Sequence, residues 1–122
     1  MKIVIDTNAL VYAVENKIDL FQMLKGNELI IPNLVLEELQ LISRAAKKAS
    51  DKKAAFLALK ILECTSFEII HLFGETDKAI AELAKSRDAA VLTNDLILKR
   101  KLAKSGVKVL HIRQKKYIEE WS

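Results

Sequence analysis

The stretch Lys2-Ile3-Val4-Ile5-Asp6-Thr7-Asn8 sets three β-branched apolar residues in a row with an acid directly behind them. Such a run predicts a short strand buried on both faces, which in an α/β protein is a central parallel strand. Asp6 ends the strand, and Thr7 and Asn8 are small polar residues suited to a turn. In open α/β sheets, ligands bind just outside the carboxyl ends of the strands. An acid at that point stands over the expected active site, and the rest of the chain can be read for other acids delivered to the same rim.

Working outward, Ala9 to Leu24 keeps helical spacing through Leu10, Val11 and Val14, then Leu20, Phe21 and Leu24, with Asn16 to Asp19 dividing it in two. Gly26-Asn27 is a C-cap signal. Leu29-Ile30-Ile31 reads as a second buried strand stopped by Pro32, with Asn33 as N-cap of a helix whose inner face carries Val35, Leu39 and Ile42. A basic, alanine-rich passage from Arg44 to Lys53 leads into another helix carrying Phe56, Leu59 and Leu62. Phe67 to His71 is the third strand, and a helix from about Asp77 turns Ile80, Leu83 and Ala84 inward. Ala89 to Thr93 is the fourth strand, followed by a basic helix with Leu98 and Leu102 on one side. Gly106 closes that helix, Val107 to Ile112 is the fifth strand, and a polar, aromatic-tipped tail ends the chain. Strands alternating with helices predict a parallel sheet in a three-layer α/β/α sandwich. Without repeats or a linker, residues 1–122 are expected to form one domain.

Four carboxylates fall at the expected rim. Asp6 ends the first strand, Asp95 lies just past the fourth, Asp77 opens the helix after the third, and Glu38 sits one turn into the helix after the second. Asp77 and Asp95 also suit helix N-termini through capping and the macrodipole. Glu38 shares the buried stripe of Val35 and Ile42, whereas Glu37 falls about 100° round the helix toward water. Four acids converging at one place repel strongly unless a cation holds them. An all-oxygen donor set without paired His or Cys selects Mg²⁺ or Mn²⁺ over zinc. Magnesium characteristically works on phosphates and can assist a phosphodiester displacement.

The bulk composition excludes several other classes. Half of the residues are hydrophobic (51%) and only three are Gly and one Pro, which argues against disorder. The few glycines form no phosphate loop and no dinucleotide fingerprint. Cys64 stands alone, so no internal disulfide forms and a reducing cytoplasm fits; its place at a helix end predicts packing in the core. Asp6 interrupts the first apolar run too early for a signal peptide, and no run reaches the ~18 residues of a membrane span. The formal charge of +4 leans toward an anionic partner. His71 and His111 read as packed or edge histidines, with no nucleophile pairing nearby.

Ile-Asp-Thr-Asn (5–8), Val-Leu-Glu-Glu-Leu (35–39), the Thr-Asp-x-x-Ile-x-x-x-Ala run of Thr76 to Ala84 and Leu-Thr-Asn-Asp (92–95) together resemble the ordered motifs of PIN domains. The resemblance covers nearly the whole chain. It implies a five-stranded parallel sheet in order 3-2-1-4-5 and a metal-dependent endoribonuclease. Asp6 and Asp95 would be direct ligands of Mg²⁺ or Mn²⁺, with Glu38 and Asp77 completing the shell or orienting water. Asn8, Thr93 and Asn94 would be polar supports in the same pit. The closing Gly-Val-Lys-Val-Leu-His-Ile-Arg-Gln-Lys-Lys-Tyr run looks most like archaeal PIN proteins of ribosomal-RNA processing. VapC-type toxins of toxin–antitoxin pairs, and a PIN-fold module that binds RNA or protein without cutting, are the alternatives. RNA is the expected substrate, bound by Lys99, Arg100, Lys101 and Lys104. A second copy, an antitoxin or a ribosome-assembly protein is the expected protein partner. No membrane association is expected, and Tyr117, Ile118 and Trp121 are expected to pack back on the domain rather than stack on bases.

Overall fold

The computed structural model describes all residues from Met1 to Ser122. Its core is one sheet with helices on both faces. In chain order the elements are β1 (Lys2–Ile5), α1 (Thr7–Glu15), α2 (Leu20–Met23), β2 (Glu28–Pro32), α3 (Asn33–Ala45), α4 (Ala49–Glu63), β3 (Glu68–Ile70), α5 (Thr76–Arg87), β4 (Ala90–Leu92), α6 (Leu96–Lys104), β5 (Val109–Arg113) and β6 (Tyr117–Glu120). The sheet order is β3-β2-β1-β4-β5-β6. Every pairing is parallel except β5 with β6.

The central strand shows why its residues are apolar on both sides. Ile3 and Ile5 enter one core cluster with Ala9, Leu10, Val35, Leu39 and residues of α4. Val4, between them, enters the other with Ile80, Leu83, Leu98 and Leu102 of α5 and α6. β2, β4 and β5 divide in the same way, since successive strand residues face opposite sides. Three layers follow, with α1 to α4 on one face and α5 and α6 on the other.

Several details differ from the sequence expectation. The turn expected at Thr7 and Asn8 is instead the first turn of α1, with Asp6 in the extended N-cap conformation. Pro32 holds the N-cap position of α3 (φ −63°, ψ 150°), and Asn33 is the first helical residue. The Asn33 side chain reaches across to β3's exit instead. Its Oδ1 accepts from the Leu72 amide at 2.6 Å, and its Nδ2 donates to the Leu72 carbonyl at 3.4 Å. Phe56 points outward, 52% exposed, while Ala54, Ala55, Ala58 and Leu62 form the buried face of α4. That helix packs on both α1 and α3, and alanines permit the close approach that a phenylalanine would block. Cys64 is exposed at the C-cap of α4, not packed in the core.

The five-stranded order 3-2-1-4-5 holds, and the tail adds a sixth strand. β6 folds back antiparallel on β5, pairing Ile112 with Ile118 and Arg113 with Tyr117. Gln114 (φ 55°) and Lys115 (φ 56°) make the turn. Left-handed backbone in a hairpin turn usually recruits Asn or Gly, so the sequence gives no turn signal here. Trp121 then donates its amide to the Val109 carbonyl at 2.9 Å and packs against the second core cluster.

Candidate active site

The pit is built around the join of β1 and β4. The Asp6 amide donates to the Leu92 carbonyl at 3.0 Å, so the residues leaving the two strands, Asp6 and Thr93, lie side by side. The Thr93 hydroxyl, fully buried, donates to Asp6 Oδ2 at 2.9 Å and accepts from the Asp95 amide at 3.1 Å. One hydroxyl thereby fixes two of the acids. Asp95 caps α6, with Oδ1 accepting from the Ile97 and Leu98 amides at 2.8 and 3.2 Å. The capping role weighed from sequence and a place in the pit are therefore held together, one carboxylate oxygen serving the helix.

Asp6, Glu38, Asp77 and Asp95 all line one open cavity of about 440 Å³ at the carboxyl ends of the parallel strands, together with Thr7, Asn8 and Thr76. Thr93 and Asn94 stand behind it rather than in its wall. Asn8 Oδ1 accepts from the Asn94 amide at 3.0 Å, and the Asn94 side chain pairs with both the amide and the carbonyl of Ile112 (2.8 and 3.0 Å). These two asparagines tie α1, the exit of β4 and β5 into one frame. Asp51, in the first turn of α4, also lines the pit. Sequence reasoning missed it because it sits inside the basic run from Arg44 to Lys53; first-turn helix placement, shared with Asp77, was the available signal. Glu15 beside it is pushed above its ordinary pKa by burial and by the Asp51 carboxylate.

The electrostatics show an acidic site short of positive charge. Asp6 is pushed up to about 6, chiefly by burial, against the lowering effect of the Thr93 hydroxyl and with a further upward push from Glu38. Thr7 Oγ1 is buried without a hydrogen-bond partner. Asp77 takes its counter-charge from Lys101, whose Nζ lies 3.2 Å from Oδ2. An ammonium already answering one carboxylate, all-oxygen donors and an orphaned hydroxyl suit a hard cation. In the conformation seen here, no three acidic or imidazole side chains are grouped tightly enough to hold a metal ion.

The basic residues of α6 separate into different roles. Arg100, Lys101 and Lys104 are exposed. Lys99 is not available to a phosphate at the surface: it is 7% exposed, and its Nζ contacts His111 Nδ1 at 3.0 Å and lies 5.7 Å from the Trp121 ring centroid. Burial holds its pKa below the ordinary lysine value, against a smaller raising effect of Asp95. An ammonium only donates, so Nδ1 of His111 accepts and its Nε2 proton faces Glu119 Oε1 at 3.1 Å. The lysine that the sequence pattern grouped with the rim is a bolt between α6, β5 and β6.

A family model described as "PIN like domain" matches residues 3–115. The chain belongs to the PIN-like domain family. Among curated proteins it is 32% identical over 118 residues to ribonuclease VapC9 of Archaeoglobus fulgidus, covering 94% of this chain and 85% of that protein. It is also 32% identical over 126 residues to ribonuclease VapC4 of Methanocaldococcus jannaschii, covering 97% and 95%. Among solved structures, that of VapBC2 from Rickettsia felis bound to a DNA fragment from their promoter aligns at TM-score 0.60 and 27% identity, over 82% of this chain and 92% of that one. A domain of a functionally unknown M. jannaschii protein shares the fold at TM-score 0.65 and 18% identity, over 99% and 96%. This PIN-like chain is thus similar to ribonucleases over nearly its whole length, and no helix is long and apolar enough to cross a membrane.

Proposed function

We propose that the protein is a metal-dependent endoribonuclease of the toxin type, cutting RNA phosphodiester bonds at the acidic pit. The observation that carries this reading is that acids from four separate segments, Asp6, Glu38, Asp77 and Asp95, line one cavity at the strand ends. These four would hold Mg²⁺ or Mn²⁺. When bound, such an ion activates water and offsets the charge developing on the phosphodiester. The chain's own contribution is orientation. The Thr93 hydroxyl holds Asp6 and Asp95 in fixed relation, Asn8 and Asn94 lock the strand exits, and Lys101 pairs with Asp77. Arg100 and Lys104, both exposed on the same helix, offer cations for the RNA backbone.

The toxin reading is favoured over ribosomal-RNA processing because both curated relatives are ribonucleases VapC. With it comes an antitoxin partner, supported by the likeness to VapBC2. An apolar cleft between α1–α2 and α4, lined by Leu10, Ala13, Ile18, Phe21 and Ile61, offers such a partner a landing surface. The test is hydrolysis of single-stranded RNA with Mn²⁺, lost in EDTA and abolished by Asp6→Asn with the fold intact by circular dichroism. Expression should arrest growth, and co-expression of an antitoxin encoded beside it should relieve that arrest. Metal-independent cleavage, or full activity in Asp6→Asn, would remove the pit from the mechanism.

A further inference from the structure

Phe73 is the most exposed large hydrophobic residue of the chain, at 88%. It lies between β3 and α5, in the segment that runs from the strand's carboxyl end to Asp77. Three residues separate it from that acid, so the two Cα atoms lie at most about 14 Å apart. Phe73 therefore stands on the carboxyl edge of the sheet, the edge that carries the pit, and borders a neighbouring groove with Leu72, Ala79 and Glu82.

The ring is presented by a braced backbone. Leu72, its neighbour, is gripped at both its amide and its carbonyl by the Asn33 side chain. On the other side, Gly74 turns the chain with φ +89° in open space. An aromatic ring held out in water by a two-point clamp costs apolar hydration that a polar residue would avoid. What it gains is a π-face with little freedom to lose on binding. The surroundings argue against self-association as that use. His71, Gly74 and Glu75 beside it are exposed and mostly polar. One aromatic contributes about 150–250 Å², well short of the ~800 Å² per partner of a stable interface. The surroundings suit a nucleic acid instead. Lys78 is exposed in the first turn of α5, and Lys101 already reaches the Asp77 carboxylate.

We propose that Phe73 is a stacking platform for an unpaired base of the RNA, close to the phosphate that enters the pit. This rests on the ribonuclease reading above and adds to it a subsite for a base. Unpaired bases stack on aromatic side chains with little sequence preference. The acids then engage the backbone while the ring fixes which nucleotide lies next to them.

The test uses the full chain carrying Asp6→Asn, so that RNA is bound and not consumed. Binding of a fluorescein-labelled single-stranded RNA of mixed sequence is followed by anisotropy, beside the same strand made abasic. Phe73→Ala should weaken binding of the normal strand roughly tenfold, within the range of one lost base stack. It should leave the salt slope and the abasic strand's affinity unchanged. Phe73→Trp should keep the affinity, and RNA should quench the added indole fluorescence. Phe73→Leu, with apolar bulk but no π-face, should fall with the alanine variant. Equal affinity of Phe73→Ala and its parent, or full affinity of Phe73→Leu, overturns the stacking subsite alone. A drop in oligomeric state with Phe73→Ala, RNA affinity unchanged, assigns the ring to an interface between copies. A parent that binds no RNA takes the ribonuclease reading down as well.

Discussion

Replacing Asp6 by asparagine should make the metal-free protein more stable while ending its chemistry. In the folded chain the Asp6 carboxyl titrates at about 6, against an ordinary value of 3.8, because burial penalises the carboxylate more than the Thr93 hydroxyl rewards it. The folded state therefore binds a proton that the unfolded state has released. Stability from this group is fully present below pH 3.8 and is lost as pH rises through about 6. The full difference is worth about 3 kcal/mol. Asparagine is uncharged at every pH and its carbonyl can still accept from Thr93. Its amide NH₂ must also be accommodated in a buried place, which gives back part of the gain. A net rise in melting temperature of roughly 5–10 °C at pH 7 is expected. The assay is thermal unfolding in EDTA from pH 4 to 8 for both proteins, read as the difference between them. That difference should be small near pH 4, grow toward pH 6.5 and then level off. Acids held low by partners, such as Glu119 with His111 and Arg113, act in the opposite direction but are common to both chains. A flat difference, or a variant that melts below wild type at pH 7, would refute the claim that the buried charge is uncompensated.

Thr93→Val should push the Asp6 carboxyl above its present value of about 6, since the hydroxyl is the main influence lowering it; carbon-13 carboxyl titration by NMR checks this. Arg100→Ala and Lys104→Ala should each reduce the salt slope of RNA binding by about 0.7 while leaving the melting temperature unchanged. Lys99→Ala should instead destabilise by about 1–3 kcal/mol, because it strips a buried partner from His111 and a cation from the Trp121 face; urea unfolding separates it from its neighbours. Ending the chain at Arg113 should bare the β5 edge and raise aggregation, measured by light scattering.

The parts of this molecule legible in its sequence are those governed by local period and by rim placement. β1 declares itself because both of its faces are covered, so no polar residue interrupts Ile3 to Ile5. The order of the sheet came from motif resemblance and not from periodicity, which cannot say which strands are neighbours. Glu38 was distinguishable from Glu37 because helical geometry gives them different faces, and Glu37 does turn away, to Asn33 at 3.0 Å. What escaped depends on partners distant in the chain. Nothing in Lys99-Arg100-Lys101 says that the first faces inward; His111, Glu119 and Trp121 decide it, from β5 and the last residues of the chain. Asn33 has the composition of a cap and is used as a clamp because Leu72 arrives beside it, 39 residues later. β6 went unseen because its turn is made by Gln114 and Lys115, residues that seldom advertise a left-handed backbone.

The hydroxyl bond from Thr93 to Asp6 joins residues 87 positions apart, and that separation has a meaning in time. Synthesis proceeds at about 5–20 residues per second, so Asp6 waits on the order of ten seconds before its partner is made. For most of that interval β2 exists for β1 to pair with but β4 does not, and Asp95 is still to come. Of the four acids, the first to be translated thus waits longest for its partner, since Asp77 meets Lys101 only 24 residues later. A ribosome making this chain carries no assembled pit until Asp95 has been added.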